Sequence, residues 1–136
     1  MNEMSGVKSL PPEQAGILGR RGEDIVASYL ESLGCSILKR NYRTRRGEID
    51  LIVSEGQTTV FVEVKSRSSL SSGDPGERVG TRKRRRIIRA AISYLLTAGG
   101  LDVPCRFDTA IVDFHKGGSA PIITLIKNSF DLDTQS

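Results

Sequence analysis

Across residues 17–33 apolar positions return every three or four residues, and Leu18, Gly22, Ile25, Val26, Tyr29, Leu30 and Leu33 fall in one stripe. That period predicts an amphipathic helix. Gly34 follows as its C-terminal cap. The period then drops to two. After a short strand over 36–41, Ile49, Leu51 and Val53 alternate with polar neighbours, and so do Val60, Val62 and Val64. Alternation with β-branched enrichment predicts two strands, joined by a turn at Ser54-Glu55-Gly56-Gln57. Residues 66–80, rich in Ser and Gly, predict a flexible loop. Helical spacing resumes over 82–96. There Ile87, Ile88, Ala91 and Leu95 face the core, and Arg82, Arg85, Arg86 and Arg89 share the opposite arc. Gly99-Gly100 stops this helix, and 105–114 and 121–126 predict two further strands. The order is αβββαββ, an α/β chain with one domain over 17–126. A loose arm with prolines precedes it at 1–16, and a polar tail follows at 127–136.

A chain of 136 residues with 38% hydrophobic positions is long enough to bury one core. Twenty Lys and Arg stand against 16 Asp and Glu, a net charge of +4. The basic residues are clustered. Lys39, Arg40, Arg43, Arg45 and Arg46 form one group and Arg82, Lys83, Arg84, Arg85, Arg86 and Arg89 another, 11 of the 20 in all. Clustered positive charge selects a polyanion such as nucleic acid. Aromatics make up only 5% with no Trp, which counts against a base-stacking single-strand binder.

Cys35 and Cys105 have no partner motif. No apolar run reads as a signal sequence or approaches the ~18 residues of a membrane span. A soluble, cytoplasmic protein with no membrane contact is expected. His115 is the one histidine and no Cys-x-x-Cys occurs, which argues against the usual zinc sites. Neither a phosphate-binding P-loop nor a dinucleotide glycine fingerprint is present. Any metal would sit on oxygen ligands, pointing to Mg²⁺ or Mn²⁺.

The hairpin carries the chemistry. Pairing Val53 with Thr58 sets Asp50 opposite Phe61 and Glu48 opposite Glu63. It projects Glu48, Asp50, Glu63 and Lys65 from one face and the apolar set from the other. Asp50 and Glu63 are then diagonal neighbours, ~7–8 Å apart at the backbone. One cation fits between them with carboxylate bonds of about 2 Å. Like charges on one sheet face are destabilising and invite a cation. Taken alone, Glu63-Val64-Lys65 is an ordinary solvated strand face. Its combination with a following basic helix, and with no competing chemistry, sets it apart.

Asp50, a dozen residues, then Glu63-x-Lys65 resembles the restriction-endonuclease-like superfamily of Mg²⁺-dependent nucleases. In detail the chain is similar to the YraN-type family of uncharacterised bacterial proteins. The matching segments are GRRGEDIVASYL at 19–30, NYRTRRGEIDLI at 41–52, VFVEVKSR at 60–67, TRKRRRIIRAAISYL at 81–95 and CRFDTAIV at 105–112. The resemblance implies a central mixed sheet flanked by helices, similar to Holliday-junction resolvases. It implies Asp50 and Glu63 as metal-binding acids, with Glu23 completing the metal site and Lys65 orienting the attacking water. The superfamily's proline before the aspartate is replaced by Ile49. Arg67, Arg82, Lys83, Arg85, Arg86 and Arg89 are the candidate nucleic-acid contacts, tracking the backbone without reading sequence.

The expected function is a Mg²⁺-dependent endonuclease on DNA, structured or branched. A dimer is expected by analogy with junction-cutting enzymes. The alternative is a non-catalytic nucleic-acid binder on a nuclease scaffold. ILGRRGEDI at 17–25 also mimics the Gly-x-x-Gly loop of KH RNA-binding domains, but lacks the strand and helix such a module needs before it.

Overall fold

The computed structural model describes residues 12–68, 80–115 and 120–130, with side chains from residue 19 onward. Two helices and five strands follow the expected order: α1 (Pro12–Ser32), β1 (Ser36–Arg43), β2 (Glu48–Glu55), β3 (Thr58–Ser68), α2 (Thr81–Ala98), β4 (Cys105–Phe114) and β5 (Ile122–Phe130). The strands form one mixed sheet in the order β1-β2-β3-β4-β5. Only β3 and β4 pair in parallel. Parallel neighbours require a crossover, and α2 is carried on it. The fold is the α/β, restriction-endonuclease-like arrangement.

Each helix covers one face. Val26, Ala27 and Leu30 of α1 pack on Leu51, Val53, Val60, Val62, Ala110 and Val112. On the other face Ile87, Ile88, Ala91 and Leu95 of α2 pack on Ile49, Ile52, Phe61, Phe107 and Phe130. The α1 stripe is narrower than its sequence period suggests, since Tyr29 and Leu33 are exposed. Gly34 caps the helix at φ +96°, as expected. No helix among the described residues is long and apolar enough to cross a membrane.

Three boundaries differ most from expectation. Helix α1 starts at Pro12, five residues early; proline suits a first helical turn because its missing N–H has no partner there anyway. Strand β3 runs on to Ser68, into the segment expected to be loop. The remainder of that loop, 69–79, lies outside the described residues. Strand β5 continues to Phe130, taking four residues from the expected tail. It does so through a register shift opposite Phe107–Thr109, with Asn128 at φ +53°.

The hairpin register is also different. Val53 pairs with Val60 and Glu55 with Thr58, so the turn contains only Gly56 and Gln57, with Gly56 at φ +61°. The slip is two residues. A two-residue slip preserves which face each side chain takes, so hydrophobic patterning cannot detect it.

Candidate active site

Beyond Leu51↔Val62 the β2–β3 ladder ends. Asp50 is the next residue of β2, and one further step of the same register sets it level with Glu63 rather than diagonal to it. The Val64 N–H donates to Asp50 Oδ2 at 2.8 Å, so a side chain replaces the ladder at this point. The cause lies one strand away. Asn41 of β1 sits at φ +53°, a left-handed conformation that Asn tolerates better than most residues. Alternation breaks there. Arg40 reaches Asp24 on α1 at 2.5 Å, while Tyr42 stacks edge-on against Tyr94 of α2 with centroids 5.5 Å apart. Tyr42 pairs with Ile49 and Arg40 with Leu51, so Ile49 and Leu51 go to opposite faces. The expectation that Ile49 shares a face with Leu51 and Val53 is therefore corrected. Asp50 occupies the hinge between them.

Glu63 is buried, at 6% exposure. Desolvation and the adjacent Asp50 charge raise its pKa to about 7. Desolvation also raises Asp50, against the Val64 N–H that lowers it. The neighbouring carboxyl acts in opposite directions on the two, raising Glu63 and lowering Asp50, so Glu63 is the more readily protonated of the pair. Lys83 of α2 forms an ion pair with Glu63 Oε2. Burial works to lower the Lys83 pKa, but the Glu63 hydrogen bond and charge outweigh it and the ammonium is held protonated.

Glu23 comes from the α1 side. Partial burial, then the Asp50 charge, raises its pKa, and it is hydrogen-bonded to Asn41. Gly22 precedes it where α1 crosses β3 closely: a Cβ there would lie 2.0 Å from Ser66 Oγ and 3.3 Å from Ser66 Cβ, so a larger residue would require Ser66 to rotate. Ser66 Oγ is itself buried with no hydrogen-bond partner.

Expected site residues thus divide as follows. Asp50 and Glu63 are in contact, and Glu23 stands within electrostatic reach of Asp50. Lys65 lies half-buried on β3, two residues beyond Glu63 and level with Ile111 of β4. Glu48 is not opposite Glu63; it pairs with Arg43 at 3.5 Å and lines a cavity of about 490 Å³ with Arg82, Lys83 and Arg86. Arg67 donates from Nε and Nη2 to the two oxygens of Asp113, at 3.0 and 3.1 Å, and is only 12% exposed, the geometry of an ion pair inside the sheet. Arg82, Arg85, Arg86 and Arg89 are exposed on α2 as expected.

Lys83 and Asn41 were not foreseen as members of the acid cluster. The one signal for Lys83 was its helical angle, which takes it off the arc shared by Arg82, Arg85, Arg86 and Arg89. Asn41 carries no local signal beyond its tolerance of positive φ.

The donor set fits a hard divalent cation. One buried and one half-buried carboxyl side by side, both raised in pKa and with an ammonium drawn against one of them, form a site that favours added positive charge. Among the described residues no three acidic or imidazole donors are gathered into a finished shell. Asp50 and Glu63 supply two carboxylate donors side by side, with Glu23 close to Asp50. Another buried carboxylate, Asp108, makes the contrast. It accepts from Arg106 Nε at 3.0 Å and from the Asn128 N–H at 3.0 Å, and nothing about it asks for a further cation.

Helix α2 adds a second electrostatic feature. Its opening turns hold Arg82, Lys83, Arg84 and Arg85 and no acid in the first turn. Cations at a helix N-terminus oppose the macrodipole. The sequence accepts that local cost and gains a dense anion-attracting end beside the carboxylate pair.

Comparison with known proteins places the chain in a family. A UPF0102 protein of Chlorobium chlorochromatii is 47% identical over 124 residues, covering 88% of this chain and 95% of its own. UPF0102 proteins of an Anaeromyxobacter species and of Geobacter sulfurreducens are 44% and 45% identical, covering 83% and 85% of this chain and 84% and 90% of their own. The signature of the uncharacterised protein family UPF0102 matches residues 22–112, a span that begins at the glycine under Glu23 and contains Asp50, Glu63, Lys65 and Lys83. The chain belongs to that family.

Proposed function

We propose that this protein is a Mg²⁺- or Mn²⁺-dependent nuclease that hydrolyses phosphodiester bonds in DNA. The observation that carries the reading is the Asp50–Glu63 pair, two adjacent carboxyls placed where β2 and β3 stop pairing and faced by Lys83. Asp50 and Glu63 would hold the ion, with Glu23 adding negative charge from α1. When bound, the ion supplies positive charge to the phosphoryl oxygens and acidifies water. Lys65 orients the attacking water. A bond forms from the water oxygen to phosphorus and the bond to the leaving sugar oxygen breaks. Arg82, Arg85, Arg86 and Arg89 hold the backbone through phosphate, without reading bases. The reading carries a cytoplasmic location with it, and a homodimer where two strands of a junction are cut.

The test is cleavage of labelled linear, flapped and four-way DNA with and without Mg²⁺ by wild type and Asp50→Ala. Metal-dependent cutting by wild type alone supports the reading. No cutting of any substrate, or equal cutting by Asp50→Ala, removes it.

One observation favours a second reading, a non-catalytic nucleic-acid binder. Lys83 already supplies a positive charge to Glu63. Salt-sensitive DNA binding that Asp50→Ala leaves unchanged, with no turnover in any metal, selects this reading instead.

A further inference from the structure

The two basic clusters, more than 30 residues apart in sequence, meet in space. The turn from Thr44 to Gly47 joins β1 to β2 and is held by its own hydrogen bonds. Thr44 Oγ1 accepts from the N–H groups of Arg46 and Gly47, each at 3.1 Å, and the Thr44 N–H donates to the Gly47 carbonyl at 2.8 Å. Gly47 then lies flat on α2. A Cβ at this position would sit 1.9 Å from the Arg86 carbonyl oxygen, so only glycine lets the turn close onto the helix. This contact sets Arg45 and Arg46 across a groove from Arg89.

The groove measures about 640 Å³. Its rim is Arg43, Arg45, Arg46 and Arg89, and its floor is Tyr42, Ile92 and Leu96. Arg43 is balanced by Glu48. Among the described residues no carboxylate pairs with Arg45, Arg46 or Arg89. Leu96 is 64% exposed on the floor. Guanidinium groups gathered without counter-charge repel one another until an anion joins them. An apolar floor under a cationic rim asks for more than an anion. A regular duplex keeps its bases inside and would leave the floor wet, whereas an unpaired nucleotide offers phosphate to the rim and a base to the floor.

The rim also continues. Arg86 and Arg89 line a second hollow with Arg82 and Arg85, and Arg82 and Arg86 line the cavity that contains Glu48 and Lys83. Along α2 the step from Arg89 to Lys83 is about 9 Å at 1.5 Å per residue. That is roughly two or three nucleotide rises along the axis of a stacked strand.

We propose that the groove between the Arg43–Gly47 turn and α2 is a nucleotide subsite that takes one unpaired nucleotide, its phosphate on Arg45, Arg46 and Arg89 and its base on Tyr42, Ile92 and Leu96. It selects nucleic acid with a single-stranded position two or three nucleotides from the carboxylate pair, such as a flap, gap or junction. The inference rests on the nucleic-acid reading of the site, and its test separates the two.

The full chain is titrated in EDTA, where no metal-dependent cutting occurs, against a blunt duplex and the same duplex carrying a short flap with 2-aminopurine as its first unpaired base. Anisotropy reports binding, and 2-aminopurine fluorescence reports the environment of that base. Wild type is expected to prefer the flap by about tenfold, the scale of one stacked base, with a change in 2-aminopurine signal. Arg45→Glu/Arg46→Glu loses the preference and the signal change. The charge-matched control Arg20→Glu/Lys127→Glu, exposed and outside both basic clusters, keeps both. Leu96→Ser weakens the base signal more than duplex binding. Equal binding of flap and blunt duplex by wild type, or a preference that survives Arg45→Glu/Arg46→Glu, overturns the subsite. If the flap preference holds and no DNA is cut when Mg²⁺ is restored, the nuclease reading fails while the subsite stands.

Discussion

Asp50 and Glu63 lie side by side at the point where their strands stop pairing. Glu63 is raised from 4.5 to about 7 by burial and by the Asp50 charge, and Asp50 is raised with it. Between those two values the folded chain retains a proton that the unfolded chain has lost. The protonated pair is therefore tolerated at low pH, and stability falls as pH rises through about 7. At 1.36 kcal/mol per pH unit over the window from 4.5 to about 7, the loss is on the order of 3 kcal/mol. Urea unfolding of wild type and Glu63→Gln from pH 5 to pH 8 checks this. The difference between them should move in favour of Glu63→Gln as pH rises, and parallel curves would show that the pair is not strained.

Asp50→Asn should separate stability from function. An asparagine still offers an oxygen to the Val64 N–H and removes the charge that opposes Glu63. At pH 8 we expect it to be more stable than wild type by about 1–2 kcal/mol, the usual gain when a functional like-charge pair is relieved. Under the proposed function the same change abolishes metal-dependent cleavage. Thermal unfolding at pH 8 with a cleavage assay on the same preparation tests both halves.

Gly47→Ala should be severe although it adds one methyl group at a turn. The new carbon meets the Arg86 carbonyl, and backbone cannot rotate away as a side chain would. The turn must lift from α2, at a cost of roughly 2–3 kcal/mol, the range of a forced overpacking. Arg45 and Arg46 would move with it, so flap binding should weaken together with the denaturation midpoint. Gly34→Ala is a fitting comparison: it has open space around its Cβ and suffers only from its φ of +96°.

Phe130→Ala tests the last strand. Phe130 is 6% exposed and stacks on Phe107 with centroids 4.7 Å apart, in line with the Phe107–Phe61 stack at 5.2 Å. Removing it should cost about 3–5 kcal/mol, as for other buried phenylalanines. A loss below ~1 kcal/mol would return the end of β5 to the polar tail that its composition suggests.

Much of this architecture follows from periodicity alone. The switch from a period near 3.6 to a period of two and back marks helix, strands, helix and strands in their observed order, because each period must put its apolar positions on one buried side. The exposed arginine arc of α2 is legible for the same reason. What escaped the sequence was whatever parity or local composition cannot register. A two-residue slip of the hairpin leaves every face unchanged, yet it moves Asp50 from a diagonal to a level position beside Glu63. The break at Asn41 reverses alternation with no change in hydropathy, and it alone sends Ile49 and Leu51 to opposite cores. Lys127, Asn128 and Ser129 look like tail, and only the aromatic stack on the far side of the sheet draws Phe130 in. The chain by itself determined which elements form and which charges it has to spend. Contact between distant segments decided where those charges meet: Glu63 with Lys83, Glu23 with Asp50, and Arg46 with Arg89. Those pairings depend on helix–sheet packing and on two glycines close enough to neighbouring atoms to permit it, and no local pattern encodes them.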